Sequence, residues 1–566
     1  MTDPGTPVEL IAAVVRLRQA LVDNPLPFEA PDAGPARVER GKLIKQLDDY
    51  VLPRLLQIEA PLLVVVGGPT GAGKSTLVNS LVGSRVTASG VLRPTTRSPV
   101  LVHHVDDERW FTIDRLLPEL ERTHSTARDQ GSLQLVPSSE LPPGIAILDA
   151  PDLDSVEARN RALSAQLMST ADLWLFVTSA ARYADQVPWT SLKSAAERGA
   201  AVAVVLDRTL PSATREVSSH LARMLTARGL ADARLFTIAQ SALDEDGLLP
   251  PDSVAPIRAW LGALAADAAA RAAVVRQTLD GTMASIGHRA RSVSAALRTQ
   301  QRLATELREH VIRVYAASQV DTIATCLDGS LLRGELLARW QDFLDTGELM
   351  RGVEDRRGRL RDRLQRGAGQ KTQPAETVRV ALEARLSTHL FRAAQSAAVR
   401  TAGHWRSGQA GAALLETSPA DLSRAAADLE ARVNASCRDW LSLTVDLVRS
   451  ESADRQATSR FLAHGAHGLA AALQIVVVSS TAPEHFQSPT WSGRRVLGGV
   501  FGGQTMQRLT ATASADLASR VEQLWRQEKQ RFLEVLPAHA PDHGAAERLV
   551  QLSRDVDDNR LARAQA

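Results

Sequence analysis

The sequence predicts two fold classes in one chain: an α/β domain with a mostly parallel sheet, and a large all-α helical bundle. Three observations predict it. Between about residues 60 and 265, short apolar β-branched runs alternate with helical-period segments, the pattern of a parallel sheet covered on both faces. From about 266 to 566 apolar residues recur at helical spacing in a background rich in Ala, Leu, Arg and Glu. At 566 residues the chain is longer than one such α/β domain needs, so two or more domains are expected.

Composition narrows the function classes. The formal net charge is only +2, which argues against a nucleic-acid-coating protein, so basic residues count by local cluster. Only six of the 66 basic residues are lysine, so a lysine inside a motif stands out. Cys326 and Cys437 lie far apart in sequence and outside any C-x-x-C pattern, which excludes a zinc cage and fits buried thiols in a reducing compartment. Met-Thr-Asp-Pro-Gly lacks the features of a secretory leader, and a cytoplasmic location is expected.

Taken in order, residues 7–24 and 36–57 carry apolar residues at helical spacing and read as two amphipathic helices packing on the helical bundle. The apolar run Leu62–Val66 then ends in Gly67-Gly68-Pro69-Thr70-Gly71-Ala72-Gly73-Lys74-Ser75-Thr76. Strand, G-x-x-x-x-G-K-S loop and helix start in that order form a P-loop nucleotide site. The glycines let backbone N–H groups close round the phosphates, Lys74 reaches the β and γ oxygens, and the Ser75 hydroxyl is placed to ligate Mg²⁺. The helix continuing through Leu81 points its N-terminal dipole at the anion.

Further strands are expected at 99–104, 145–148, 173–178, 201–206 and 234–239, with helices near 75–82, 156–169, 187–199 and 213–228. The polar loop Gly90–Arg97 falls where a switch I loop sits, and Thr96, in preference to Thr95, would complete the Mg²⁺ shell. Asp149, at the tip of the strand Ile145–Leu148, is the expected carboxylate beside that ion. Asp207 and Arg208, and Ser241 and Ala242, follow the strand ends from which a base is read. His103 and His104 are strand neighbours pointing to opposite faces and do not make a metal pair.

These pieces together resemble the dynamin superfamily of large GTPases, specifically its actinobacterial dynamin-like members. The matching stretches are Leu63–Leu81, Arg93-Pro94-Thr95-Thr96, Asp149-Ala150-Pro151-Asp152 and Trp340-Gln341-Asp342-Phe343. The resemblance implies GTP and Mg²⁺ as ligands, GTP hydrolysis, self-association and a helical stalk that works at the cytoplasmic face of a membrane. Three departures qualify it. Asp152 stands where a GTPase Asp-x-x-Gly has its glycine and brings negative charge near an anion. Leu210 in Asp207-Arg208-Thr209-Leu210 replaces the guanine-reading aspartate, and Thr70-Gly71 replaces a Gln-Ser pair. Slow turnover and weak base discrimination are therefore expected.

In the helical half, helices are expected over 255–328 with a break, 330–366, 374–406, 418–450, 454–480 and 505–535. Arg351, Arg356, Arg357, Arg359, Arg361, Arg363 and Arg366 cluster there, fitting either a solvated helix face or contact with an anionic membrane surface. Residues 461–480 contain no Asp, Glu, Lys or Arg, and Val496–Gly503 is apolar and Gly-rich, so 461–503 reads as a lipid-contacting tip or a buried core helix. Phe501–Arg508 echoes the signature of transporter ATPases, but its distance from the P-loop and Phe501 in place of a serine mark a chance match.

The expected organisation is N-terminal helices at 1–59, a P-loop domain at 60–265 and a helical stalk at 266–566. The leading function is a dynamin-like GTPase; the alternatives are a nucleotide-binding scaffold with little turnover and an ATPase partner of a transporter. Neither a nucleic-acid partner nor a metal cluster is expected.

Overall fold

The structure is a computed structural model that describes residues 7–87, 98–112, 117, 120–125, 131–155, 158–197, 199–345, 373–452, 459–483, 487–538 and 540–565. It divides into two compact units: residues 1–26, 31–299 and 541–566, and residues 27–30 and 300–540.

The first unit is built on an eight-stranded sheet: β1 (Leu62–Gly67), β2 (Val100–His103), β3 (Glu121–Thr123), β4 (Ser132–Pro137), β5 (Ile145–Asp149), β6 (Leu173–Ser179), β7 (Ala201–Thr209) and β8 (Arg234–Ala239). Their order across the sheet is β3-β4-β2-β5-β1-β6-β7-β8, and only the β2/β5 pair is antiparallel. β1 lies between β5 and β6, which is why it reads as an unbroken apolar run: a strand covered on both faces has no polar side. Its side chains divide by parity. Leu63 and Val65 pack under the helices Ala158–Ser169, Gln186–Glu197 and Thr214–Ala227; Leu62, Val64 and Val66 pack under Lys74–Val82 and Pro251–Ala266.

The six strands expected from sequence are present, several one to three residues longer. β3 and β4 were not expected; β3 is only three residues long, and β4 breaks its apolar pattern with Gln134 and a terminal Pro137. The N-terminal helices pack on residues 279–297 and 546–556, all of them in the first unit. The expected boundary at 265 therefore lies well before the observed one at 299: the helix Ala268–Leu327 gives its first half to the core that the N-terminal helices complete. Away from the strand ends that carry the site, Arg54 and Asp172 form a buried ion pair, and Asp172 Oδ2 also accepts from Leu63 N at 2.7 Å.

The second unit is helical. Trp340, Trp405, Trp440 and Trp525 are fully buried in its core, so Trp340 and Phe343 of the Trp-Gln-Asp-Phe segment are packing residues. The break expected inside 255–328 falls at Asp267, whose Oδ1 accepts from Ala269 N (2.8 Å) and Ala270 N (3.1 Å) and so caps the next helix. The helix expected over 418–450 instead begins at Leu429. Ahead of it a loop is pinned by Glu528, which accepts from Ala426 N at 3.0 Å and pairs with Arg432 and Arg531. The helices Gln487–Phe501 and Ala545–Gln565 were not expected.

Within 461–503, residues 469–478 take the core alternative. Leu469–Leu473 and Ile475–Val478 are at most 2% exposed, and Val477 is wholly buried in the helical core. No helix among the described residues is long and apolar enough to cross a membrane. Gly465, at φ 67°, divides this helix in two. Phe501–Arg508 is the junction of two helices at Gly502, φ 83°, which removes the transporter-signature echo. The arginine cluster 351–366 lies outside the described residues.

Candidate functional site

The site lies at the carboxyl ends of β1, β5 and β7, where the sheet delivers loops from several strands to one edge. Two glycines fix the loop after β1. A Cβ at Gly68 would sit 2.0 Å from the Val177 carbonyl oxygen of β6, and Gly73, at φ 91°, would place one 2.5 Å from Asp207 Oδ2. Neither position admits a side chain. The helix Lys74–Val82 starts directly after Gly73 and closes at Gly83, φ 81°, whose N–H caps on Asn79 O. The loop is thus held with its lysine and serine in the first helical turn.

Asp149 ends β5 in register with Val66 of β1, next to the loop, as the sequence led us to expect. It is fully buried. Its Oδ2 accepts from the Ser75 hydroxyl at 2.7 Å and from the Thr87 hydroxyl at 2.7 Å. Burial pushes the Asp149 carboxyl above its usual range, against the downward pull of the Ser75 and Thr87 hydroxyls and the Lys74 charge. Its other oxygen, Oδ1, is buried with no hydrogen-bond partner among the described residues. A buried, unpartnered carboxylate oxygen beside a loop serine is a donor set that fits a hard divalent cation and its water.

Thr87 was not anticipated. Asn79 places it: Asn79 Oδ1 accepts from Val86 N (3.0 Å) and Thr87 N (2.9 Å), and Asn79 Nδ2 donates to Thr87 O at 2.9 Å. An asparagine one turn into the helix was the only sequence signal for this clasp. Thr96, the expected threonine of this shell, lies outside the described residues.

Lys74 is 5% exposed, and its ammonium donates to Gly68 O (3.2 Å), Pro69 O (3.1 Å) and Asp152 Oδ1. Asp152 belongs to a short segment, 151–154, strapped to the loop at several points: Leu153 N donates to Gly68 O at 3.2 Å, and Asp154 Oδ1 accepts from both Thr70 N and Thr70 Oγ1 at 2.6 Å. Arg182, from the loop after β6, completes the brace, donating to Thr70 O (2.7 Å), Asp154 Oδ2 (2.7 Å) and Asp185 Oδ2 (2.9 Å). Burial alone pushes the Asp154 carboxyl up, but Thr70 and Arg182 outweigh it and hold the group below its usual range. Neither Asp154 nor Arg182 was anticipated, because their partners are 84 and 112 residues away from them in sequence.

The end of the site at β7 and β8 is different. β7 runs through Asp207 to Thr209 with a shift in its pairing to β8 after Leu206, and Arg208 takes a positive φ of 53°. That irregularity brings the Asp207 carboxylate to Gly73, where burial pushes it above its usual range despite the N–H and the charge of Arg208. Leu210 is 58% exposed, and Arg208, Ser241 and Ala242 are exposed too. No group of three or more His, Cys, Asp or Glu side chains that could hold a metal ion occurs among the described residues.

With this geometry in place, comparison with known proteins is decisive for the sheet domain: residues 64–208 match the Dynamin family. The chain carries a dynamin-family domain. It is 28% identical over 193 residues to the "Probable transmembrane GTPase FZO-like, chloroplastic" of Arabidopsis thaliana, a match that covers 30% of this chain and 20% of that protein. The chain thus spans about a fifth of the length of this curated relative. Among solved structures, one described as "An oligomerised bacterial dynamin pair provides a mechanism for the long-range sensing and tethering of membranes" matches over 95% of this chain and 96% of its own, at 10% identity and a TM-score of 0.38. A second, similarly described, gives 11% identity and a TM-score of 0.36 over 93% and 91%. Likeness at that level fixes neither fold nor function, and the dynamin-family assignment rests on residues 64–208.

Proposed function

We propose that this chain binds GTP with Mg²⁺ at Gly68–Thr76 and hydrolyses it slowly, as a dynamin-like GTPase that self-associates at the cytoplasmic face of a membrane. One observation carries the proposal: Ser75 and the buried Asp149 are hydrogen-bonded at 2.7 Å at the loop that also carries Lys74, inside a stretch that matches the Dynamin family. In this reading Lys74 holds the β and γ oxygens, and the N–H groups of Gly71–Thr76 surround the phosphates. Ser75 and Thr96 would ligate Mg²⁺, and Asp149 would hold the ion's water through its unpartnered oxygen. Bound there, the ion would neutralise charge developing on the β and γ phosphates. The base would meet Arg208, Ser241 and Ala242, while the Asp207 carboxylate faces Gly73.

The family match alone supports self-association and membrane contact; Arg351–Arg366 would be either a solvated helix face or the contact with an anionic surface. The test is purified-protein turnover with GTP and ATP side by side, together with liposome sedimentation; absence of turnover with both nucleotides removes the enzyme from this proposal. A second reading, a nucleotide-binding scaffold with little turnover, is favoured by the pairing of Lys74 with Asp152 and would appear as binding without turnover.

A further inference from the structure

An ammonium group has three N–H donors, and all three of Lys74 are spent inside the protein. Two go to carbonyls of its own loop, Gly68 and Pro69, a local wrap that any lysine in this turn can make. The third goes to the carboxylate of Asp152, which stands where the Asp-x-x-Gly pattern of GTPases has no side chain. The pair is well shielded, with the lysine 5% and the aspartate 19% exposed. A charge-assisted hydrogen bond in such a place is stronger than its surface counterpart.

We propose that Asp152 is the resting counter-ion of Lys74 and competes with the phosphates of an incoming nucleotide for the same ammonium. The proposal rests on the nucleotide reading of this site and adds a regulation to it. An anion that is to be held by Lys74 must displace the carboxylate, so Asp152 weakens every ligand that needs that ammonium, the di- and triphosphate alike.

The fate of the displaced carboxylate follows from the surrounding bonds. The backbone on either side is tied down, Ala150 N to Val66 O at 3.2 Å and Leu153 N to Gly68 O at 3.2 Å. Pro151 between them has a fixed φ, and its carbonyl accepts from the Ser164 hydroxyl at 2.8 Å. Asp152 therefore leaves Lys74 by rotating its side chain toward water, while Asp154 keeps its grip on Thr70. The strap stays, and only the carboxylate moves. Competition of this kind needs no metal, because it concerns one ammonium and two anions.

Calorimetric titration of GTP and GDP into the wild-type chain, Asp152→Asn and Asp152→Gly, each with Mg²⁺ and with EDTA, tests the proposal. Asn keeps the shape and removes the charge; Gly removes the side chain; melting curves identify the variants that keep the fold. The expected result is about tenfold tighter binding of both nucleotides, with and without Mg²⁺. Unchanged affinity in a folded variant, against measurable wild-type binding, overturns the counter-ion role and leaves the nucleotide site intact. Weaker binding only in the presence of Mg²⁺ also overturns it, assigning Asp152 to the metal shell instead. If neither the wild type nor any variant binds, the nucleotide site itself falls and the counter-ion with it. A second readout needs no variant: in wild-type protein labelled at lysine ¹⁵Nζ, a protected Lys74 ammonium signal is expected in the free chain and should shift when pyrophosphate is added. Absence of that protected signal contradicts the pairing.

Discussion

The proposed phosphate end and the proposed base end of this site share one sheet edge, yet they are built to different standards. At the phosphate end, the Ser75 and Thr87 hydroxyls both donate to Asp149, the Lys74 ammonium is held by Gly68, Pro69 and Asp152, and Lys74, Thr87 and Asp149 are buried. At the base end, Leu210, Ser241 and Ala242 stand in solvent, and Asp207, the one buried carboxylate there, faces Gly73 of the phosphate loop. Preorganised donors bind strongly because their ordering cost is met by the fold, whereas exposed groups must be ordered by the ligand. The contrast implies a site that recognises a polyphosphate better than its base, with Asp152 opposing the anion from within the ordered set.

The largest effect is expected from Lys74→Ala. It removes the only lysine of the loop and should abolish nucleotide binding by calorimetry while leaving the melting curve of the helical unit in place. Retained micromolar binding would break the comparison, since the phosphate end would not be the stronger one. Next in size is removal of the metal. Chelation with EDTA, or Asp149→Ala, is expected to cut turnover by more than about a hundredfold, because the charge on the transferred phosphoryl group is left uncompensated. Turnover that survives chelation would detach Asp149 and its unpartnered oxygen from that chemistry.

Leu210→Asp sharpens the other half of the contrast. The Leu210 carbonyl accepts from the Thr214 hydroxyl at 2.9 Å, which anchors the backbone at this position. A carboxylate installed here is expected to raise the preference for GTP over ATP by about tenfold or more, the scale of one charged hydrogen bond. No gain in a folded variant would mean that the loop, and not the residue type, limits base reading.

The smallest effect concerns the brace. The Asp154 carboxyl is held below its usual range, so the stability it contributes is complete above the ordinary aspartate pKa and is lost as pH falls through the lowered value. Melting temperature followed from neutral into acid should therefore drop less steeply for Asp154→Asn than for wild type. Parallel acid limbs would show that the Thr70–Asp154–Arg182 brace does not stabilise the loop.

The same contrast governs what could be read from sequence. The phosphate loop was legible because each position demands a residue type: glycine where a Cβ would strike Val177 O, lysine and serine in the first helical turn. Asp149 was legible from its place at a strand end. Thr87, Asp154 and Arg182 were not, because each acts through a loop whose path no local pattern encodes. The sheet strands emerged as apolar runs, except the short β3 and the polar-interrupted β4. Residues 469–478 were ambiguous for a different reason: an uncharged apolar helix looks the same whether it is surrounded by lipid or by Trp340 and its neighbours. Only packing separates the two, and it places Val477 in the core.

The central claim, a strong phosphate end joined to a weak base end, is tested most directly by competition of GTP and ATP against one labelled GTP analogue on the wild-type chain. The account expects both to compete, with GTP favoured by about tenfold, a difference of about 1–2 kcal/mol from backbone hydrogen bonds near Ser241 and Ala242. A preference above about a thousandfold would contradict it, because discrimination of that size needs a buried group that pairs with guanine and rejects adenine, and Asp207 would then have to leave Gly73 to supply it.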